Sequence, residues 1–493
     1  MVHLVMPPWD GLGIHRTFGH RMPPMALLVL AALARREGWA VRIIDLNFES
    51  VPPEKPDLVG LTVWTMLAPQ AYQLADAYRR RGIPVVLGGV HPSMLPGEAL
   101  RHADAVVVGE AESVIGSVLA DAAAGRLGGL YQGEWGQMSG VPSVGEWVDL
   151  LEEGPFLRYL PRNTLQTTRG CRFNCDFCSV IRINGRGSRH RDPLEVVEEL
   201  RVLKRHGQRF GSFFQVNFLD DDLAADLEFT AALAEAIVAS GLKVSWAAQA
   251  SIGLAGDPEM VRLVARAGCS VLFTGFESIS RDTLKECNKK NRPHLFRESV
   301  QRLHDSRILI EGGFIFGFDH DEAGVFDETA EFVDRIGVDA AHFAILTPLP
   351  GTQTFARMAG DGRITSFDWG EYDLYHAVFE PARMTAAQLQ AGLWKAYRRF
   401  YGARPRWRRW RRHVATRPHP LVGTTVTLTN ANYARHYRPG ATARPRYVAD
   451  PADLQSLLAV SSAPASEAIG TAVRLLAMPT RPREPGAPDP WRR

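Results

Sequence analysis

Short, almost uninterrupted runs of aliphatic residues alternate with helical stretches through most of this 493-residue chain. The first series is His3–Met6, Ala40–Leu46, Leu58–Trp64, Val85–Gly89 and Ala103–Gly109, with helical patterns at Pro24–Arg36 and Gln70–Arg81. Strands that read as continuous apolar runs are buried on both faces, so the pattern predicts a doubly wound parallel sheet. Ligands of such sheets bind at the carboxyl ends of the strands. A second series follows: Leu165–Thr168, Ser212–Asn217, Lys243–Gln249, Ser270–Phe276, Ile308–Phe316 and His342–Thr347, with helices such as Pro193–His206 and Ala224–Ser240 between them. Six βα repeats predict a barrel or partial barrel whose site lies at the C-terminal strand ends. The expected organisation is an α/β domain over 1–135, a Gly/Pro/Glu-rich connector over 136–163, the barrel over 164–360 and a partly helical region over 361–445. An Ala/Pro/Arg-rich tail over 446–493 reads as disordered.

Three of the five cysteines fall within eight residues, in TTRGCRFNCDFC. Cys171, Cys175 and Cys178 stand at C-x3-C-x2-C, on the loop after the first strand of the second series. Thiolates so close on one loop can converge on one face of an iron–sulfur cubane and leave its fourth iron without a protein ligand. A structural zinc site, the competing reading, wants four ligands, and His190 and His206 are not at zinc-finger spacing. Cys269 and Cys287 are far apart in sequence and read as buried. A net charge of +3 does not point to nucleic acid. There is no signal-peptide pattern, and no apolar run approaches the roughly 18–20 residues that span a bilayer, so a cytoplasmic protein is expected.

The cysteine spacing, with Phe177 just before the third cysteine, resembles the signature of the radical SAM superfamily. The resemblance continues through FLDDDL (Phe218–Leu223), WAAQASI (Trp246–Ile252), GFES (Gly275–Ser278), GGFIFG (Gly312–Gly317) and TPLPGT (Thr347–Thr352). It departs from the usual pattern at His320, where an acidic residue often stands. It implies a [4Fe-4S] cluster on Cys171, Cys175 and Cys178, with S-adenosylmethionine (SAM) on the open iron as source of a 5′-deoxyadenosyl radical. Phe177, Asp221, Gln249, Glu277, Gly317 and Leu346 are its implied SAM contacts.

The first α/β domain lacks a G-x-G-x-x-G after its first strand, which argues against a dinucleotide. Placed before a radical SAM core, its GGVHPSMLP and VVVGEAE segments resemble the cobalamin-binding class. That likeness implies cobalamin contacts at Thr62, Trp64, Met66, Gly88, Gly89, His91, Gly109 and Glu110. The D-x-H-x-x-G motif that supplies an axial histidine is missing, and His91 is not that ligand by position. PPMALLVLAAL before RIIDLN, HRDPLEVVEEL and FDWGEYDLYHAVFEPARMT are similar to the hopanoid C-2 methylase-like branch. The implied activity is methylation of an unactivated carbon of a lipid or small natural product, driven by a reducing donor of flavodoxin or ferredoxin type. Cyclisation or rearrangement on the same scaffold, and a non-catalytic cobalamin or cluster sensor, are the alternatives. Tyr372, Tyr375 and His376 fall in a segment expected to cap the pocket.

There is no acidic residue between Glu380 and Asp450, and Arg404–Arg412 reads RPRWRRWRR. A basic helix docked on acidic neighbours is one reading. Peripheral membrane contact is another, because Trp favours the interface and Arg pairs with lipid phosphate. Nucleic acid is not expected, since no recognised binding module accompanies the patch.

Overall fold

The computed structural model describes residues 1–9, 22–153, 159, 163–208, 215–416 and 430. The tail expected over 446–493 lies outside the described residues, as do Ser212–Phe214 of one expected strand.

The first sheet holds β1 (Val2–Met6), β2 (Val41–Asp45), β3 (Leu58–Thr62), β4 (Val85–Gly88), β5 (Ala105–Val108) and β6 (Gly129–Gln132), all parallel, in the order β2-β1-β3-β4-β5-β6. Successive residues feed opposite cores. Val2, Leu4, Val86 and Val107 meet the helices Met25–Arg36 and Ile115–Ala123, while Val5, Val59, Leu61 and Leu87 meet the helix Ala68–Arg80. Each such side chain, fully buried, contributes about 1.5–3 kcal/mol. The strand order reverses between β1 and β3, which opens a crevice at their carboxyl ends. β6 falls at the border of the expected connector. Its sequence, GLYQ, is short and half-exposed, so it carries no apolar run to announce it.

The second sheet holds β7 (Asn163–Leu165), then, beyond a small hairpin of β8 (Thr168–Arg169) and β9 (Arg189–His190), β10 (Gln215–Phe218), β11 (Ser245–Gln249), β12 (Cys269–Glu277), β13 (Leu309–Phe316) and β14 (Ala340–Ile345). Its six parallel strands run β14-β13-β12-β11-β10-β7 and do not close. One face looks into a lumen of about 670 Å³ lined by Asn217, Ala247, Gln249, Val271, Phe273 and Glu311, among others. The other face is aromatic: Phe276 stacks on Phe314 at 5.2 Å, and Phe316 on Phe343 at 5.7 Å.

β7 stops three residues earlier than the apolar run suggests. The backbone N–H groups of Thr167 and Thr168 leave the sheet to donate to the Asp220 carboxylate, at 2.6 and 2.9 Å. The C-terminal region folds back on both sheets. Tyr397 and Tyr401, of and just beyond the helix Ala386–Phe400, donate to Phe343 O and Ala341 O on β14. Trp369 enters the core of the first sheet and donates Nε1–H to Glu98 at 3.0 Å.

Phe314 is 1% exposed and lies between Phe276 and Phe343. Phe314→Ala is expected to cost about 3–5 kcal/mol, from lost transfer energy plus the cavity left behind. Urea denaturation of the variant beside the wild type measures it.

Candidate active site

The cysteine loop starts where the chain leaves β8. Gly170 has φ +90°, and a Cβ there would lie 2.4 Å from Gly187 O, so only glycine fits. The three thiols that follow are half-buried and free of disulfides. Burial pushes Cys171 up to about 11 and Cys178 to about 12, with Cys175 also raised. The Lys289 ammonium opposes this at all three. Lys289 is itself penalised by burial, yet Glu277 and the neighbouring acids hold it protonated. This cation favours the thiolate form, against burial and against Glu277 and Asp222, which push Cys175 up. Among the described residues no three His, Cys, Asp or Glu side chains converge on one ion. In a cluster each thiolate takes its own iron, so three thiols set further apart can serve.

The residues named from the sequence fall into three groups. The first faces the lumen or the ends of its strands. Gln249 lines the lumen and donates Nε2–H to Asp221 O at 2.8 Å. Glu277 ends β12 at a register shift, with φ +66°, and its Oε1 accepts from Lys289 Nζ at 2.9 Å. A bulge with a non-glycine residue in the left-handed region costs about 1–3 kcal/mol and clusters at functional sites. Phe177 packs edge-on to Phe318 at 6.1 Å, next to Gly317. Leu346 is buried and donates its N–H to Phe316 O.

The second group braces the site. Asp221 Oδ2 accepts from Gly170 N and Asn184 Nδ2, both at 2.8 Å, which ties it to the cysteine loop. Its neighbours act likewise. Asp220 holds Thr167 and Thr168, and Asp222 Oδ1 accepts from Ser251 N at 2.8 Å. FLDDDL is therefore a triple staple across three loops. His320 does not replace a missing acid: Asp321, one residue on, accepts from Gly317 N and Phe318 N.

The third group belongs to the first sheet. Thr62, Gly88, Gly89, Gly109 and Glu110 line an apolar cavity between that sheet and the helices Met25–Arg36 and Ile115–Ala123. Gly89, at φ +105°, brings its backbone against Val63. Ser93 Oγ donates to Gly89 O at 2.7 Å and accepts from Gly109 N at 3.0 Å, fixing both glycine turns. Sequence reasoning missed Ser93 because it drew on the more conspicuous His91 two residues earlier. His91 is turned away: it is fully buried, 3.1 Å from Glu98 Oε1 and edge-on to Trp369. Burial pushes the Glu98 carboxyl up, but His91 and Trp369 above all outweigh it and hold the group below its usual range. His91 is thus part of a core network and does not line the cavity. Trp64 is 38% exposed, meets Trp9 edge-on at 5.9 Å and reaches the lumen of the second sheet; Met66 is half-buried beside it.

Glu110 also joins the two sheets. It pairs with Arg189 and lies 3.4 Å from Arg169, which in turn bonds Glu112 at 2.6 Å. Arg169 and Gln166, both missed from the sequence, line the apolar cavity from the barrel side. In the segment expected to cap the pocket, Tyr372 and Tyr375 are fully buried, and Tyr375 Oη lies 2.6 Å from His342 Nε2. His376 bonds Asp373 instead.

An open six-stranded barrel headed by three thiols lies against a slotted parallel α/β domain keyed to the cysteine loop, the arrangement that the sequence resemblance implies for a two-cofactor radical enzyme. Residues 165–333 match the radical SAM superfamily and residues 11–119 the B12 binding domain. The chain is 31% identical over 382 residues to bacteriochlorophyllide d C-12(1)-methyltransferase of Chlorobaculum tepidum, covering 77% of this chain and 82% of that one. It is 26% identical over 357 residues to hopanoid C-2 methylase of Rhodopseudomonas palustris, covering 70% and 66%. The radical SAM methyltransferase TsrM from Kitasatospora setae, solved with cobalamin and a [4Fe-4S] cluster, shares its fold with a TM-score of 0.59 at 17% identity, over 97% of this chain and 98% of that one. The chain belongs to the B12-binding radical SAM family, and its cofactors are a [4Fe-4S] cluster, SAM and cobalamin. No helix among the described residues is long and apolar enough to cross a membrane.

Burial pushes Asp220 up to about 7, against the bonds from Thr167 and Thr168. The folded chain therefore holds a proton there that the unfolded chain releases near pH 4. Stability should fall as pH rises from about 4 to about 7, by at most about 1.4 kcal/mol per unit from this group. Asp220→Asn keeps an acceptor for both N–H groups and should flatten that slope. Denaturant midpoints at pH 5 and pH 7 for the two proteins measure the difference.

Proposed function

We propose that this enzyme transfers a methyl group to an unactivated carbon of a largely apolar small molecule; its relatives are named as a bacteriochlorophyllide d methyltransferase and a hopanoid methylase. The observation that carries the reading is the ion-paired junction of Glu110, Glu112, Arg169 and Arg189. It holds the apolar slot of the first sheet against the loop that bears Cys171, Cys175 and Cys178. When bound, the cluster with SAM would supply a radical able to remove a hydrogen atom, and cobalamin would supply a methyl group that a carbon radical can accept.

The chain's own part is to hold, orient and shield. Cys171, Cys175 and Cys178 would hold the cluster as thiolates, with the Lys289 charge offsetting theirs. Glu277 and Gln249 would orient SAM by polar contacts; Phe177, Gly317 and Leu346 would enclose its apolar portion. Asp221 has a share in that site through the loop it braces. Gly88, Gly89, Gly109 and Thr62 would bed the tail of cobalamin in the slot, whose glycines leave room that a side chain would fill. Trp64 and Met66 would stand between corrin and lumen. The substrate would occupy the lumen, where Phe273 and Val271 offer apolar contact and Glu311 and Asn217 offer anchoring bonds. Domain limits near 135, 163, 360 and 445 would follow from this division, and a flavodoxin or ferredoxin would supply the electron.

With methyl-labelled SAM, reductant and a tetrapyrrole or hopanoid acceptor, label should appear in the product together with 5′-deoxyadenosine. Turnover without label in the product would favour cyclisation or rearrangement; no 5′-deoxyadenosine from fully loaded enzyme would favour a sensor. Replacing any of Cys171, Cys175 or Cys178 by Ala should abolish both products and the visible absorbance of the cluster. Gly88→Leu should copurify without corrin and keep that absorbance, and retention of stoichiometric corrin would count against the assigned slot.

A further inference from the structure

The helix Ala403–Thr416 carries the Arg/Trp segment and takes part in neither cofactor site. One side of it is anchored. Arg409 is 1% exposed, lies 3.8 Å above the Phe400 ring, and donates to Phe400 O at 2.7 Å and Asp334 Oδ1 at 3.0 Å. Arg408 pairs with the same aspartate. That anchor fixes the roll of the helix. With 3.6 residues per turn, the exposed residues Trp410, Ala403, Trp407, Arg411, Arg404 and Arg408 fall in one unbroken arc. Trp407 is 56% and Trp410 46% exposed, and the Arg411 guanidinium sits 4.7 Å over the Trp407 ring. Among the described residues neither Arg404 nor Arg411 has a carboxylate partner.

Two indoles side by side in water are an unusual surface. An indole has a broad apolar face and one N–H that stays wet, which suits the headgroup level of a bilayer. Arginine matches phosphate with a bidentate fork and is weakly hydrated. No acid between Glu380 and Asp450 opposes an anionic surface. A single exposed helix face offers no basic groove for a nucleic-acid strand to track. The helix also has a defined place. Arg412 reaches the Gly337 turn, just ahead of Asp339 and Ala340 at the N-terminal end of the lumen. This is the end opposite the cysteine loop.

We propose that this arc seats the enzyme on an anionic lipid bilayer, with Trp407 and Trp410 at the headgroup level and Arg404 and Arg411 on lipid phosphates. The lower end of the lumen then faces the membrane. The proposal stands on the helix alone and does not depend on methyl transfer.

The test is sedimentation of the full-length, cluster-loaded protein with vesicles, under anaerobic conditions. Binding is expected to vesicles of phosphatidylcholine mixed with phosphatidylglycerol, to weaken as salt rises, and to be absent for phosphatidylcholine alone. Arg404→Glu with Arg411→Glu, and separately Trp407→Ala with Trp410→Ala, should each lower the partition coefficient by about tenfold or more. Unchanged cluster absorbance confirms that the variants fold. Failure to bind anionic vesicles, equal binding to neutral ones, or binding unaffected by either pair overturns the proposal. So does retention of an RNA oligonucleotide in place of vesicles, or a dimer that the tryptophan pair alone dissolves.

Discussion

The two halves of the molecule meet through buried charge. Arg169 immediately precedes Gly170 and Cys171, and its guanidinium is held by Glu112 and Glu110 from the end of β5. Burial alone would pull an arginine down; the two carboxylates outweigh it and hold Arg169 above its usual range. Removing one partner from such a set strands a buried charge and costs about 3–5 kcal/mol. An apolar seam would bind the two sheets equally well but could slide. Paired forks fix register as well as distance, and the chemistry assigned to this site needs both cofactors at set positions.

The second level of bracing is local to the barrel. Asp220, Asp221 and Asp222 follow β10 in sequence and turn to three partners: the Thr167–Thr168 backbone, the Gly170 N–H, and the Ser251 N–H. Burial raises all three acids, so each bond is worth more than it would be in water. Such loops need this support because their backbone donors have left the sheet ladder and cannot remain unpaired when buried.

Much of this was legible in the residues. Both sheets announce themselves because parallel strands covered on two faces leave continuous apolar runs, and the cysteine loop because three thiols at C-x3-C-x2-C have few other uses. The misses have equally physical causes. β6 is a half-exposed edge strand with no apolar run. His91 drew attention as a titratable group between strand ends, yet the direction of a side chain in a short helix is set by packing against Tyr72 and Trp369, which are distant in sequence. Ser93, Arg169 and Lys289 went unnoticed because a serine, an arginine or a lysine acquires meaning only from the partner folding brings to it. The bracing role of Asp221 has the same cause: its Oδ2 meets Gly170 N and Asn184 Nδ2 only after folding, while the residue also lines the lumen.

Glu277 shows how the levels combine. A register shift at the end of β12 and a left-handed backbone are both unfavourable for glutamate, and neither is needed to complete the sheet. The conformation persists because Lys289 pins the carboxylate and Asn291 Nδ2 donates to Gly275 O and Phe276 O on the strained strand end. Lys289 in turn stays charged because of Glu277, and its field reaches all three thiols. The strained glutamate thus fixes an oriented ion pair whose cationic end acts on the cysteines. Such an arrangement needs no reorganisation when thiolate charge develops there, which is the form in which electrostatics contributes most.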